Sequence, residues 1–443
     1  MFMKKIKYIS GGIFIAICIC VLCVLTSCVS SQAPKVSADA QGLHHHDGYT
    51  LEQMTVVSRH QIRSALSEHG SDLAKINSHE WLPWSSSPSY LTDLGCVQET
   101  LMGMYFRSFL EYEKFIPENW FPAEDETYFY CNSQQRTIVS TQSFSSAFLP
   151  VANPRIVYKC DFDTDDPVFW RDITKSSEAW RNQVMKEIEE QGGEAGLNGI
   201  LEQNAQNFKT LEKVLDFKNS EYAKEHGITS LPLDDMKITF NYGEGPSMKG
   251  SLKLGNSASD ALKLQYYEYP DGHDASFGVP LSWDEWAQIG ALGDAYQKTL
   301  FGSHTAAIDK ANPMLQEIQA DMKNPKRKFT FLGGHDDNIM SLIAALRIKD
   351  YKLESSLNSR SPVGSNFIIS KFKDEAGQEF CTISLLYCTA SQLRSLDVLD
   401  LDNPLIEKQL EFEGLEKNAD GMYKLADVEK RIADTINEYN LWQ

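Results

Sequence analysis

The stretch Thr55-Val-Val-Ser-Arg59-His60-Gln61-Ile62-Arg63 sets one imidazole between two guanidiniums. That set suits phosphoryl transfer. A guanidinium fork matches phosphate oxygens two at a time and offsets the charge spread over them, while a neutral imidazole can approach phosphorus in line. Taken alone, Arg-His-x-x-Arg also describes a solvated basic turn. A third cation, Arg136, stands where a strand-like run gives way to a helix-compatible one, so backbone N–H groups at the helix start would add to its pull on an anion. The alternative for Arg136 is an ordinary surface arginine. Late in the chain, Gly334-His335-Asp336-Asp337-Asn338 offers a second imidazole for phosphate and a carboxyl that can act as general acid. Asp337 and Asn338, just ahead of a helix, are expected to cap it rather than to react.

These side chains need elements that bring them together. Met54 to Ser58 reads as a short apolar strand ending at Arg59-His60, and Thr127 to Cys131 as a second strand followed by a helix over Arg136 to Leu149. Lys328 to Leu332 reads as a third strand, broken by Gly333-Gly334 before a buried helix over Asn338 to Leu346. The recurring strand, loop and helix predict an α/β fold: a parallel or mixed sheet flanked by helices, with ligands at the carboxyl ends of the strands. Asn366 to Phe372 and Phe380 to Cys388 read as an antiparallel hairpin closing the sheet. Residues 152–280 lose this rhythm and carry helices such as Glu178 to Glu190 and Leu197 to Phe217. They predict a largely helical cap inserted into a catalytic domain made of residues 49–151 and 281–443.

The 443 residues, 42% hydrophobic, can bury a sizeable core, and a formal net charge of −19 disfavours nucleic acid and anionic membrane surfaces as partners. An anionic ligand must then meet a focused pocket. Lys4, Lys5 and Lys7 precede the apolar run Ile13 to Leu25 and the sequence Leu25-Thr-Ser-Cys28, which reads as a signal peptide over residues 1–27 with a lipobox, cleaved before Cys28 and lipidated there. An uncleaved signal anchor is the alternative. Residues 28–48 read as a flexible tether, in which His44, His45 and His46 could bind metal only loosely. Beyond Cys28 the cysteines are Cys96, Cys131, Cys160, Cys381 and Cys388, an odd set. Cys381 and Cys388 share one expected strand and are too far apart along it to bridge, so few disulfides are expected.

Arg-His-x-x-Arg near the start, a mid-chain Arg and a late His-Asp, each on a strand end, resemble the histidine acid phosphatase family over nearly all of the mature chain. The side motifs Gly48-Tyr-Thr-Leu-Glu-Gln53, Leu264-Gln-Tyr-Tyr-Glu268 and Gly334-His-Asp-Asp-Asn-Ile339 are most similar to its glucose-1-phosphatase branch. The resemblance implies that His60 is the phosphorylated nucleophile, that Arg59, Arg63, Arg136 and His335 hold the phosphate, and that Asp336 protonates the leaving oxygen. It also implies that Glu268 lies beside the substrate's sugar, and that neither cofactor nor metal takes part. Gln61 replaces the family's usual Gly, with Asn in the glucose-1-phosphatase branch. It is expected to narrow the pocket and favour small sugar phosphates over phytate, the substrate of the alternative reading within the family. Ser64-Ala65 replaces Ala-Pro, and Leu415 and Tyr423 fall where the family has a C-terminal disulfide. Two readings of other kinds remain: an all-helical metal phosphohydrolase using His335-Asp336, and a lipid-anchored binding protein that has kept a phosphate pocket but lost turnover.

Overall fold

In a computed structural model of the chain, residues 42–66, 71–269 and 275–443 are described. The expected signal peptide and Cys28 lie outside them. The central strand β1, Tyr49–Arg59, pairs in parallel with β6, Phe329–Gly334, and antiparallel with β7, Asn366–Asp374. Beyond β6 the sheet continues in parallel through β2, Thr127–Cys131, to β3, Ile156–Val157. Beyond β7 it continues antiparallel through β8, Glu379–Tyr387, which is flanked by β9, Ile406–Gln409, and β10, Tyr423–Lys424. A separate two-stranded ribbon joins β4, Lys237–Thr239, to β5, Ser247–Lys249.

Alternation along the strands explains why the sheet is covered on both faces. Val56, Phe329 and Phe331 point to one side, where they pack with Phe106 of α1, Asp93–Tyr112, and with Phe144 and Phe148 of α2, Gln135–Phe148. The rings of Phe144 and Phe331 stack at 4.2 Å. Truncating such a ring, as in Phe144→Ala, costs about 3–5 kcal/mol. Val57, Leu332 and Ile369 point to the other side. There they meet Ile308, Met314 and Leu315 of α8, His304–Met322, and Ile339 and Leu342 of α9, Asp336–Ala345.

Between β3 and β6 the chain is mostly helical: α3, Glu178–Gln191; α4, Gly196–Gln203; α5, Ala205–Leu215; α6, Ser251–Glu268; and α7, Trp283–Phe301. The helix expected over Leu197 to Phe217 is two helices. Asn204 leaves helical geometry at the junction and donates its side-chain amide to Ile200 O at 2.8 Å, competing with the backbone ladder. The last helix is α10, Leu425–Tyr439. Among the described residues no helix is long and apolar enough to cross a membrane.

Three expectations need correction. Gly333 and Gly334 do not break β6 but finish it, both buried. A Cβ at Gly333 would stand 2.3 Å from Thr141 Oγ1, and one at Gly334 would stand 2.4 Å from Asn338 Oδ1, so their lack of a side chain lets α2 and α9 press against the strand end. Residues 156–157, expected in the helical insertion, extend the main sheet as β3. The end of the expected tether is docked: Gly42 N–H donates to Leu405 O at 2.6 Å, His45 pairs with Glu113 at 2.9 Å, and the His46 ring packs on Phe372 at 5.0 Å. His44 turns to Glu407, so the three imidazoles serve three separate partners rather than one metal.

All five described cysteines are free. Where the resembled family would carry a C-terminal disulfide, Leu415 packs on the core and Tyr423 is buried against Phe412, accepting the Phe412 N–H at 3.0 Å.

Candidate active site

The carboxyl ends of β1, β6 and β2 are laced together by backbone bonds. His60 N–H donates to Gly334 O at 3.1 Å and Asn132 N–H to Gly333 O at 2.9 Å. The three loops that follow therefore share one point of the fold, and each brings part of the chemistry.

His60 is buried, and its Nδ1 lies 2.7 Å from the carbonyl oxygen of Gln61. A carbonyl only accepts, so Nδ1 carries the proton and the lone pair sits on Nε2. Burial pushes the His60 pKa well below its usual value, and the charges of Arg136, Arg63 and Arg59 push the same way. The ring is therefore a neutral base among three guanidiniums. Arg136, the second residue of α2, donates to Ser89 Oγ at 2.7 Å, and burial beside Arg63 lowers its pKa to about 10, which leaves it charged at any working pH.

His335 faces His60 edge-on, with ring centroids 5.5 Å apart. Its tautomer is set by Asn132. The Asn132 Oδ1 accepts the N–H groups of Ser133 and Asp166, both at 2.8 Å, so its amide nitrogen must be the donor to His335 Nε2, also at 2.8 Å. A neutral His335 then carries its proton on Nδ1. Burial, followed by Arg136 and His60, holds its pKa well below the usual value. Asp336 opens α9 and pairs with Arg59, Nη2 to Oδ2 at 3.2 Å. Its side chain keeps about a quarter of its surface open, 27%, whereas Arg59 keeps 5%. A group bound at His60 thus meets an unprotonated nitrogen, cationic donors and a reachable carboxyl.

A family profile described as the histidine phosphatase superfamily (branch 2) matches residues 50–382. The chain belongs to that superfamily. It is 33% identical over 400 residues to a glucose-1-phosphatase of Salmonella typhimurium, covering 89% of this chain and 94% of the relative. Over 423 residues it is 29% identical to a glucose-1-phosphatase of Providencia rettgeri, covering 94% and 99%. The apo form of a Hafnia alvei phytase superposes with a TM-score of 0.81 at 21% identity, covering 88% of this chain and 98% of that one, which shows a common fold.

Within this histidine phosphatase, His60, Arg59, Arg63, Arg136, His335 and Asp336 form one cluster. Asn338 accepts the His335 N–H at 2.9 Å, as a capping residue should. Asp337 differs: it is buried and paired with Lys310 at 2.9 Å, with burial raising its pKa. The metal reading of His335-Asp336 required an all-helical setting, and strand β6 precedes the pair. Among the described residues no cluster of three or more His, Cys, Asp or Glu side chains could hold a metal ion.

Two expectations fare differently. Gln61 does not narrow the pocket: it is fully buried in the loop after β1, against Gly364 and beside Glu99, whose carboxyl is pushed well up by burial. Gly364 has φ +69°, and a Cβ there would overlap the Gln61 amide, so the larger side chain is accommodated on that side. Glu268 sits at the end of α6 with both carboxylate oxygens engaged, by Ser85 Oγ at 3.0 Å and Thr92 Oγ1 at 2.8 Å. Thr92 caps α1 and bonds the loop just before Arg63, so Glu268 supports the edge of the site.

The acid of α6 that meets the arginine cluster is Asp260, which pairs with Arg63 at 2.8 Å. Burial works to raise its pKa, but Arg63, Lys263 and Arg59 outweigh it and hold the carboxylate below its usual value. One turn further on, Lys263 is buried within range of Asp260 and Asp294. Asp260 and Lys263 stand three residues apart on a helix, a spacing that places them on one face, but only the fold reveals which face meets Arg63. Asn132, three residues before Gln135, carried no motif at all.

Proposed function

We propose that this histidine phosphatase hydrolyses monophosphate esters of small sugars, of the glucose 1-phosphate type, through a phosphohistidine on His60. The observation that carries the reading is a neutral His60 with Nε2 unprotonated, set among Arg59, Arg63 and Arg136, with Asp336 held by the first of them. His60 Nε2 attacks phosphorus and the P–O bond to the sugar breaks. Asp336 gives its proton to the departing oxygen, so the sugar leaves as a neutral alcohol. A water then attacks the phosphohistidine and gives a proton to the Asp336 carboxylate, and the P–N bond breaks to release inorganic phosphate. Three guanidiniums and His335 Nδ1–H offset the charge on the transferring oxygens throughout. The route needs only these side chains and one water.

The sugar preference is supported by the two glucose-1-phosphatase relatives and by the acids of α6. Asp260 already occupies one face of Arg63, and Glu268 adds a carboxylate beyond it. A single phosphate tolerates this, whereas a polyphosphorylated ring such as phytate must bring further anions near the same acids. A binding protein without turnover would have no use for a reachable Asp336. The sequence supports export, a lipid anchor at Cys28 and a largely helical cap over residues 152–280, of which β3 joins the main sheet. Wild-type kcat/KM for glucose 1-phosphate and for phytate tests the substrate, and a wild type that strongly prefers phytate overturns it. Fractionation of wild type and Cys28→Ser tests the anchor, which a wholly soluble wild type removes.

A further inference from the structure

Trp170 stands out among the aromatic side chains near the site because it is 38% exposed, whereas the neighbouring Phe169 is wholly buried. Its ring meets the phosphate-cluster His335 edge-on, with centroids 6.5 Å apart and planes at 89°. Lys310 Nζ lies over the indole, 4.2 Å from the ring centroid, and is held there by the buried Asp337. The indole is therefore fixed by a cation on a face and placed at the rim of the phosphate cluster.

The loop that carries it is rigidly tied to the catalytic strands. Trp170 N–H donates to Asp166 O at 2.8 Å, and the Asp166 side chain accepts Tyr130 Oη–H at 2.7 Å and Val168 N–H at 3.0 Å. Asp166 N–H in turn holds Asn132, the residue that bonds His335. On the other side, Asn338 of α9 donates to Phe169 O. Position, exposure and fixation are all more than a structural indole needs.

We propose that Trp170 forms the leaving-group subsite of this enzyme, an aromatic wall on which the apolar C–H face of a sugar ring stacks while its phosphate lies against His60 and His335. The subsite rests on the sugar-phosphate reading above and names the side chain that would recognise the sugar. A pyranose presents axial C–H groups on one face and hydroxyls at its edges, so a flat, partly wet ring contributes apolar contact without competing for those hydroxyls. Inorganic phosphate has no such face and gains nothing from the indole.

The test compares wild type with Trp170→Ala and Trp170→Phe, measuring KM and kcat for glucose 1-phosphate and the inhibition constant for inorganic phosphate. Trp170→Ala should raise the sugar-phosphate KM about tenfold while the phosphate constant shifts less than twofold, and Trp170→Phe should recover most of the loss. Equal weakening of both ligands assigns Trp170 to structure alone and overturns the proposal, as does an unchanged KM. Should the alanine variant not fold, indole fluorescence decides. In His60→Ala, glucose 1-phosphate should change the emission and phosphate should not, and Trp170→Phe in that background should abolish the response; its persistence counts against the subsite. A wild type inactive on every sugar phosphate defeats the substrate reading and the subsite with it, whereas an active wild type with an indifferent Trp170→Ala defeats the subsite alone.

Discussion

Arg63 Nη2 lies 2.8 Å from Asp260 Oδ2, an ion pair that joins the loop after β1 to helix α6. If Arg63 holds phosphate as proposed, its charge is thus partly neutralised before any substrate arrives. Asp260→Asn should free Arg63 for a second anion and raise the ratio of phytate to glucose 1-phosphate kcat/KM by roughly fivefold or more. Glu268→Ala, about 12 Å further along the helix axis, should lower glucose 1-phosphate activity and spare or raise phytate activity. Unchanged ratios in both variants would show that the acids of α6 do not select substrates.

His60→Ala should lose activity on the order of 10³-fold or more. Rapidly quenched wild type should carry acid-labile phosphate and the variant none. Label on any other residue moves the nucleophile elsewhere.

Asp336→Asn should depend on the leaving group. General acid catalysis contributes roughly 10²–10⁴-fold, and p-nitrophenolate, a weak base, needs little of it. Sugar phosphate turnover should fall far more than that of p-nitrophenyl phosphate. Equal losses would leave Asp336 only its pairing with Arg59.

The buried histidines give stability a defined pH dependence. His60 and His335 have pKa values well below the ordinary 6.5 in the fold, so the unfolded chain binds more protons as pH falls through that value. Their contribution is complete above about pH 6.5 and is lost progressively toward the folded values. Glu99, raised by burial, works in the opposite sense and costs stability as pH rises past its unfolded value. Melting temperature should therefore fall less steeply below about pH 6.5 in His60→Ala and His335→Ala, and Glu99→Gln should lack the loss that sets in as pH rises above about 4.5. Parallel curves for all four proteins would contradict this assignment.

The strands that carry the site were legible because each one couples an apolar run to a polar residue at its end: Val56-Val57 to Arg59-His60, Phe331-Leu332 to His335. Such short-range patterns survive in any tertiary setting. Gly333-Gly334 misled because glycine in a strand and glycine in a turn look alike until the neighbours are known, here Thr141 and Asn338 pressing from two helices. Gln61 misled for the same reason in reverse, since its position after His60 does not say which side of the loop is cleft and which is core. Asp260, Asn132 and Trp170 were silent because their importance comes from contacts 34 to 203 positions away along the chain, such as Asn132 with Asp166 and His335.

The five free thiols have a consequence for how the protein is made. Burial raises the pKa of each, to about 12 for Cys131 and Cys381, so thiolate is scarce at neutral pH and exchange chemistry has little to start from. Among the described residues no covalent crosslink waits to be formed, and the fold is reached by packing alone. A reducing compartment and an oxidising one should therefore yield the same native state, with no need for an isomerase, and dithiothreitol should leave the melting temperature where it was.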